Sequence, residues 1–358
     1  MPGTPASFAP ATREWFDSSF AEPTPAQVGA WDGIGGDEHV LVVAPTGSGK
    51  TLAAFLTAID ELMKPGDSTG TRVLYISPLK ALAVDVERNL RSPLGGITHA
   101  AARRGDEFRE VSVGLRSGDT STKDRRALVT HPPDILITTP ESLFLMLTSA
   151  ARETLRGVDT VIVDEIHAVA GTKRGAHLAV SLERLDDLLE RPAQRIGLSA
   201  TVRPHEEVAR FLGGAAPVRI VAPASTKTLE LQVTVPVDDM TQLPASPSAG
   251  DDPDAPRGSI WPHVEHSIVE RVLQHQSTIV FVNSRGLAER LTARLNETYA
   301  EQLGVAASSD SKRPPAQLMG GSAQTSGAEP VLARAHHGSV SKEQRALIED
   351  DLKGGQLR

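Results

Sequence analysis

No cysteine occurs among the 358 residues, which excludes disulfides and cysteine-ligated zinc and accords with a reducing cytoplasm. No uninterrupted apolar run approaches the ~20 residues a membrane span needs, so no membrane association is expected. The N-terminus, Met1-Pro2-Gly3-Thr4-Pro5, has no basic segment followed by an apolar core, and no signal peptide is expected. Positive charge is not in excess. The net charge of -8 argues against a simple electrostatic nucleic-acid binder, but not against one that tracks a backbone through a local groove. Arg103-Arg104, Lys123 with Arg125-Arg126, and Lys173-Arg174 could line such a groove or be solvated surface. With 39% hydrophobic and 23% charged residues, the chain has a globular composition and is long enough for two domains.

What the sequence does contain centres on Ala44-Pro45-Thr46-Gly47-Ser48-Gly49-Lys50-Thr51. The apolar run Val40–Val43 leads into it and a helix-like stretch, Leu52–Leu56, follows. Strand, glycine-rich turn, helix is the context a phosphate-binding loop requires. Phosphate oxygens need several backbone N–H groups converging on one point, and the helix N-terminus adds more with its positive dipole end. Thr46, Gly47, Ser48 and Gly49 would cradle the phosphates of ATP. Lys50 would reach the β/γ-phosphates, and the Thr51 hydroxyl would sit on Mg²⁺. Ala44 holds the place where the usual pattern has glycine. About twenty residues upstream, Gln27 follows Pro23-Thr24-Pro25. A lone glutamine is usually a surface residue. In this position its amide is expected to contact adenine, offering a donor and an acceptor.

Strand-length apolar runs recur at Arg72–Ser77, Glu110–Leu115, Asp134–Thr139 and Thr160–Val163, with helix-like stretches between them; one begins near Pro78 and runs to about Leu90. Alternating strand and helix predicts an α/β fold with a parallel sheet covered on both faces and ligands at the carboxyl strand ends. Asp164-Glu165-Ile166-His167 ends the run from Thr160. There Asp164 would hold Mg²⁺ through its water shell, and Glu165 would orient and deprotonate the attacking water. His167 would sense the γ-phosphate. Ser199 and Thr201, closing the short strand from Arg195, would couple nucleotide state to domain geometry.

A proline-, serine- and aspartate-rich linker spans about 240–258. A second α/β segment follows, with helices at 263–274, 286–299 and 342–352, a strand at 278–283, a short strand and turn at 332–339, and an insertion at about 304–330. His336 and His337 are not spaced as a metal site and read as a structural or nucleic-acid-facing turn. The expected divisions are 1–222, 223–258 and 259–358.

In order along the chain stand APTGSGKT at 44–51, SPLKAL at 77–82, TTPES at 138–142, DEIH at 164–167, SAT at 199–201, VNSR at 282–285 and HHGS at 336–339. As a set they resemble the motifs of superfamily 2 DEAD/DEAH-box-type ATP-dependent helicases, and SPLKALAVDVERNL resembles the large helicase-related (Lhr) branch. The resemblance implies two RecA-like domains closing on ATP and Mg²⁺ and 3′-to-5′ movement along single-stranded or partially duplex nucleic acid. By position, Pro78, Lys80, Thr139, Pro140 and Glu141 would face the strand from the first domain, and Asn283, Ser284, Arg285 and Gly338 from the second. The family continues with an LELGID-like strand and a QRGR-like helix carrying an arginine finger, and neither occurs between 202 and 358. Such a finger is worth roughly 10³–10⁵ in rate. The expectation is therefore an N-terminal fragment with an incomplete second domain, which binds nucleotide but turns over slowly. The competing expectation is a nucleotide-gated nucleic-acid-binding module without useful catalysis.

Overall fold

The structure, a computed structural model, describes residues 5–66, 70–200, 202–224, 230–240, 260–304 and 331–357. The chain divides into two compact units, Met1–Thr228 and Leu229–Arg358. Apart from Met240 and Gly304, the expected linker and insertion lie outside the described residues.

The first unit runs α1 (Pro10–Ser19), α2 (Pro25–Gly35), β1 (His39–Val43), α3 (Lys50–Leu62), β2 (Val73–Ile76), α4 (Lys80–Arg104), β3 (Val113–Arg116) and α5 (Thr122–Thr130). It continues with β4 (Ile135–Thr138), α6 (Pro140–Leu147), β5 (Thr160–Val163), α7 (Lys173–Leu188), β6 (Gln194–Ser199), α8 (His205–Gly213) and β7 (Val218–Val221). All seven strands are parallel, in the order β3-β4-β2-β5-β6-β1-β7. β2 and β4 are buried along their whole length, as strands covered on both faces must be. The two-residue period divides the core. Val40, Val42, Tyr75 and Ile162 face Phe55, Ile59 and Trp31 on one side, whereas Leu41, Val43, Leu74 and Val163 face Leu178, Leu182 and Leu212 on the other.

One helix is longer than its sequence suggests. α4 passes the expected end near Leu90, runs through Pro93 and stops at Gly105, which takes φ 72°. Proline in a helix sacrifices a backbone bond. Here tertiary packing outweighs that loss, because α1 lies along the second half of α4. At Gly96 a Cβ would come within 2.2 Å of the Trp15 ring.

The second unit contains α9 (Trp261–Gln274), α10 (Arg285–Gln302) and α11 (Lys342–Lys353), with a small core of Val269 and Val272 from α9, Leu291 and Leu295 from α10, and Leu332. The strand expected at 278–283 and the short strand expected at the start of 332–339 do not form; no strand occurs among the unit's described residues. A strand exists only through a partner ladder. Ile279, Val280 and Phe281 are instead exposed, Phe281 at 91%. Leu332 and Ala333 donate their N–H groups to Asn296 Oδ1 at 2.8 and 2.9 Å rather than to a neighbouring strand.

Candidate nucleotide and nucleic-acid site

Because all strands of the first unit run the same way, the motif turns emerge together at their carboxyl ends. From β4 to β1 they line up as Thr139-Pro140-Glu141, Ser77-Pro78, Asp164-Glu165, Ser199-Ala200 and Ala44-Pro45. Neighbouring strands lie about 4.8 Å apart, so this is one continuous rim. Backbone bonds extend the sheet into it: Ser77 N–H donates to Thr138 O, Asp164 N–H to Ile76 O and Ala44 N–H to Ser199 O, at 2.9, 2.9 and 3.1 Å.

At the β1 end, Gly47 and Gly49 take φ 79° and 78°, a region closed to most side chains, and Gly49 is the N-cap of α3. No side chain caps that helix, so its first N–H groups point at the loop. Lys50 is buried, and its Nζ donates to Ala44 O at 2.6 Å and Pro45 O at 3.0 Å, which folds the ammonium over the loop. Ser48 Oγ is buried without a hydrogen-bond partner, the kind of orphaned donor a phosphate oxygen would satisfy. The loop therefore fits a nucleotide's phosphates by its backbone, its lysine and this hydroxyl.

Gln27 lies directly beneath. It is buried and closes a capping box with Thr24, whose N–H donates to Gln27 Oε1 at 2.8 Å while Thr24 Oγ1 accepts from Gln27 N–H at 3.2 Å. The Thr24 hydroxyl also donates to Ser48 O at 2.7 Å, tying α2 to the phosphate loop. The Thr-x-x-Gln spacing was itself a readable signal of this cap.

Asp164 is 7% exposed at the end of β5. Its Oδ1 accepts from Glu165 N–H at 2.9 Å, and its Oδ2 accepts a short hydrogen bond from the Tyr75 hydroxyl. Burial, then the neighbouring Asp164 carboxylate, pushes the Tyr75 phenol far above its ordinary value, so it remains a donor. Glu165 adopts φ 43°, left-handed and unusual for a residue with a Cβ. Its Oε2 lies 3.3 Å from His167 Nδ1, which also accepts from Ala200 N–H at 3.3 Å and lies 3.4 Å from Ser199 Oγ. Glu165, His167 and Ser199 are thus brought together, whereas Thr201 lies outside the described residues. Among the described residues no group of three acidic or histidine side chains could hold a metal ion. Mg²⁺ in such sites keeps several waters and needs only one or two carboxylates beside phosphate oxygens, so a single carboxylate such as Asp164 is compatible with it.

On the β2–β4 side, Thr139 is buried and N-caps α6, accepting from Ser142 N–H at 3.4 Å, with Pro140 in the first turn. Glu141 does not stand free. Both of its carboxylate oxygens accept from Arg174 on α7, Oε2 from Nη2 at 2.9 Å. Those hydrogen bonds hold the Glu141 carboxyl below its ordinary value. Arg174 Nη1 also donates to Pro78 O at 2.6 Å. Lys80 begins α4, but its side chain lies outside the described residues. The pair Arg103-Arg104 meets Glu14, and Arg104 also meets Asp106, which makes it surface pairing away from this rim.

Within the second unit, Ser284 N-caps α10, accepting from Leu287 N–H at 3.1 Å. Arg285 Nη1 donates to Ser339 Oγ at 2.8 Å beside Gly338, and Asn283 is exposed next to them. His336 and His337 each face a glutamate, Glu349 at 2.9 Å and Glu289 at 2.6 Å.

The DEAD/DEAH box helicase family matches residues 24–210. A Lhr helicase and probable uracil glycosylase of Mycolicibacterium smegmatis is 63% identical over 98% of this chain, which spans 23% of that protein. The ATP-dependent helicase Lhr-Core of Methanocaldococcus jannaschii is 37% identical over 97% of this chain, which spans 36% of it. A solved structure of Mycobacterium smegmatis helicase Lhr bound to ssDNA and AMP-PNP superposes with a TM-score of 0.78 at 61% identity, covering 98% of this chain and 41% of that one. With its motif turns on one parallel rim and homology to Lhr helicases over nearly all its length, the chain belongs to the DEAD/DEAH box helicase family.

Proposed function

We propose that this chain carries the ATP-binding part of a nucleic-acid helicase or translocase, coupling ATP hydrolysis to movement on single-stranded DNA or RNA. One observation carries the reading: the Asp164–Glu165 pair stands at the end of β5, between the phosphate-loop turn of β1 with the Ser199 turn of β6 beside it, and the Pro78 and Thr139–Glu141 turns of β2 and β4. Lys50 and the α3 N-terminus bind and orient the phosphates, Thr51 and Asp164 hold the water shell of the ion, and Gln27 meets the adenine. A Mg²⁺ ion bound there would supply charge neutralisation to the phosphates. Glu165 takes a proton from water aligned at its carboxylate. His167, joined to Ser199 and the Ala200 N–H, and Thr201 after them, relay the state of the γ-phosphate to β6. Pro78, Lys80, Thr139 and Pro140 contact the strand's backbone in a sequence-tolerant way, and Asn283, Ser284, Arg285 and Gly338 do so from the second unit.

The test is the ATPase rate with and without single-stranded DNA, beside a Glu165→Gln variant. A DNA-stimulated rate abolished by the substitution supports a working motor. A second reading, nucleotide-gated nucleic-acid binding without useful turnover, is favoured by the exposure of Ile279 and Phe281 in a unit with no strand among its described residues. It predicts AMP-PNP and DNA binding with a rate equal to that of the variant. Failure to bind nucleotide would sink both.

A further inference from the structure

Arg174 is placed where its own helix gives it no reason to be. It is the second residue of α7, where the positive end of the helix dipole disfavours a cation. The side chain leaves α7 and bridges two other elements: its guanidinium grips both oxygens of Glu141, on α6, and the carbonyl of Pro78, in the turn after β2. This fork geometry is one that only arginine supplies.

The start of α7 is itself fixed to the carboxylate pair. Nine residues lie between Asp164 and Arg174, and they include the 3-10 turn Ile166–Ala168 and the tight segment that follows it. Thr172 caps α7 by accepting from Gly175 N–H at 3.1 Å. Gly175 is pressed so closely on that segment that a Cβ would lie 2.0 Å from Val169 O. Farther along, the Phe144 ring of α6 lies 4.6 Å from the His177 ring of α7, so the two helices pack as one body beyond the clamp. The turn after Glu165 is thus joined, through the start of α7 and the Arg174 side chain, to Pro78 and Glu141. The same geometry gives Glu141 a role other than strand contact. A carboxylate beside a phosphodiester is repulsive, and both of its oxygens are engaged by Arg174.

We propose that Arg174 is a positioning residue that couples the two ligands: it sets the Pro78 and Glu141 turns against α7, so that nucleotide at Asp164–Glu165 and nucleic acid on those turns alter each other's affinity. This rests on the nucleic-acid reading proposed above. The coupling is reciprocal by thermodynamic necessity, so it can be read from either ligand.

The experiment measures binding of a fluorescent oligothymidylate to this chain, with and without AMP-PNP and Mg²⁺, at several salt concentrations. The proteins compared are wild type, Arg174→Ala, Arg174→Lys and Glu141→Gln, each checked for folding by circular dichroism. In the wild type, nucleotide is expected to change DNA affinity by about tenfold, within the usual range of such couplings. In Arg174→Ala that ratio should fall to within about twofold of unity, as judged against the same coupling scale. Arg174→Lys should behave like the alanine variant, because a point charge cannot span Pro78 O and both carboxylate oxygens. Glu141→Gln should lose part of the ratio.

A direct phosphate contact by Arg174 gives a different pattern. Arg174→Ala would then lower the salt slope by about one, Arg174→Lys would retain binding, and Glu141→Gln would bind DNA more tightly with its ratio intact. That pattern, or an unchanged ratio in Arg174→Ala, overturns the proposal while leaving the nucleic-acid reading in place. A wild type that binds no DNA overturns both.

Discussion

Replacing Tyr75 by phenylalanine isolates one buried hydrogen bond at the heart of the site. The ring is fully buried and stacks on Phe55 of α3 at 5.0 Å between centroids, and phenylalanine keeps that packing. Only the hydroxyl that donates to Asp164 Oδ2 is lost. A hydrogen bond to a charged group contributes about 1.5–3 kcal/mol, and Asp164 is too buried for water to replace it fully. Tyr75→Phe should therefore be less stable by about that amount at pH 7.

The same tyrosine gives the opposite sign at high pH. Its folded pKa is raised by burial first and by Asp164 second, so its contribution is fully present below the unfolded value of about 10 and is lost as pH rises above it. There the unfolded chain releases a proton that the folded chain keeps, and stability falls by about 1.4 kcal/mol per pH unit in the wild type only. The gap between the proteins should close by about pH 11–12, from those two slopes. Urea titrations followed by circular dichroism at pH 7, 9, 10 and 11 measure it. Equal stability at pH 7, or a gap that stays constant to pH 11, would refute the reasoning.

Gly49→Ala meets two obstacles, a φ of 78° and a Cβ only 2.5 Å from Gln27 Nε2. Left-handed strain of about 1–2 kcal/mol plus disruption of the Thr24–Gln27 cap, about 1 kcal/mol, should lower the melting temperature and weaken AMP-PNP binding at least about tenfold. Arg195, 3% exposed, holds Glu183 at 3.0 Å, Asp186 at 2.6 Å and Leu212 O at 2.9 Å. Truncation to alanine should cost about 3–5 kcal/mol because it leaves the Asp186 carboxylate without its cation, whereas a methionine filling the same volume should cost less; urea unfolding of both variants checks the order.

Most of the first unit was legible because parallel strands covered on both faces are short apolar runs between turn signals, and Val40–Val43 and Thr160–Val163 are both of that kind. The same signal misled at Thr278–Asn283, since an apolar run announces a strand whether or not a partner lies beside it. Local spacing could not give the end of α4, which depends on Trp15 against Gly96, more than seventy residues apart. Contacts created only by strand adjacency were equally hidden. Tyr75 pairs in register with Ile162, and Asp164 shares Ile162's face of β5, so the phenol reaches the carboxylate across 89 residues of sequence. Arg174 reaches Pro78 across 96.

Sheet order is the other quantity the sequence did not contain, and it carries the functional consequence. The chain makes β1 first and β5 much later, yet the sheet puts β6 between them and β2 on the far side of β5. The turns read as phosphate-binding and those read as strand-facing therefore meet at one border, between β5 and β2, where Tyr75 bonds to Asp164 and where Pro78 is gripped from α7. Lesions at that border, such as Tyr75→Phe or Arg174→Ala, should alter how one ligand responds to the other. Lesions at the β1 end, such as Gly49→Ala, lie two strands away from it and should act on nucleotide alone. A Gly49→Ala protein that, once saturated with nucleotide, still couples to DNA as the wild type does is the outcome this arrangement requires.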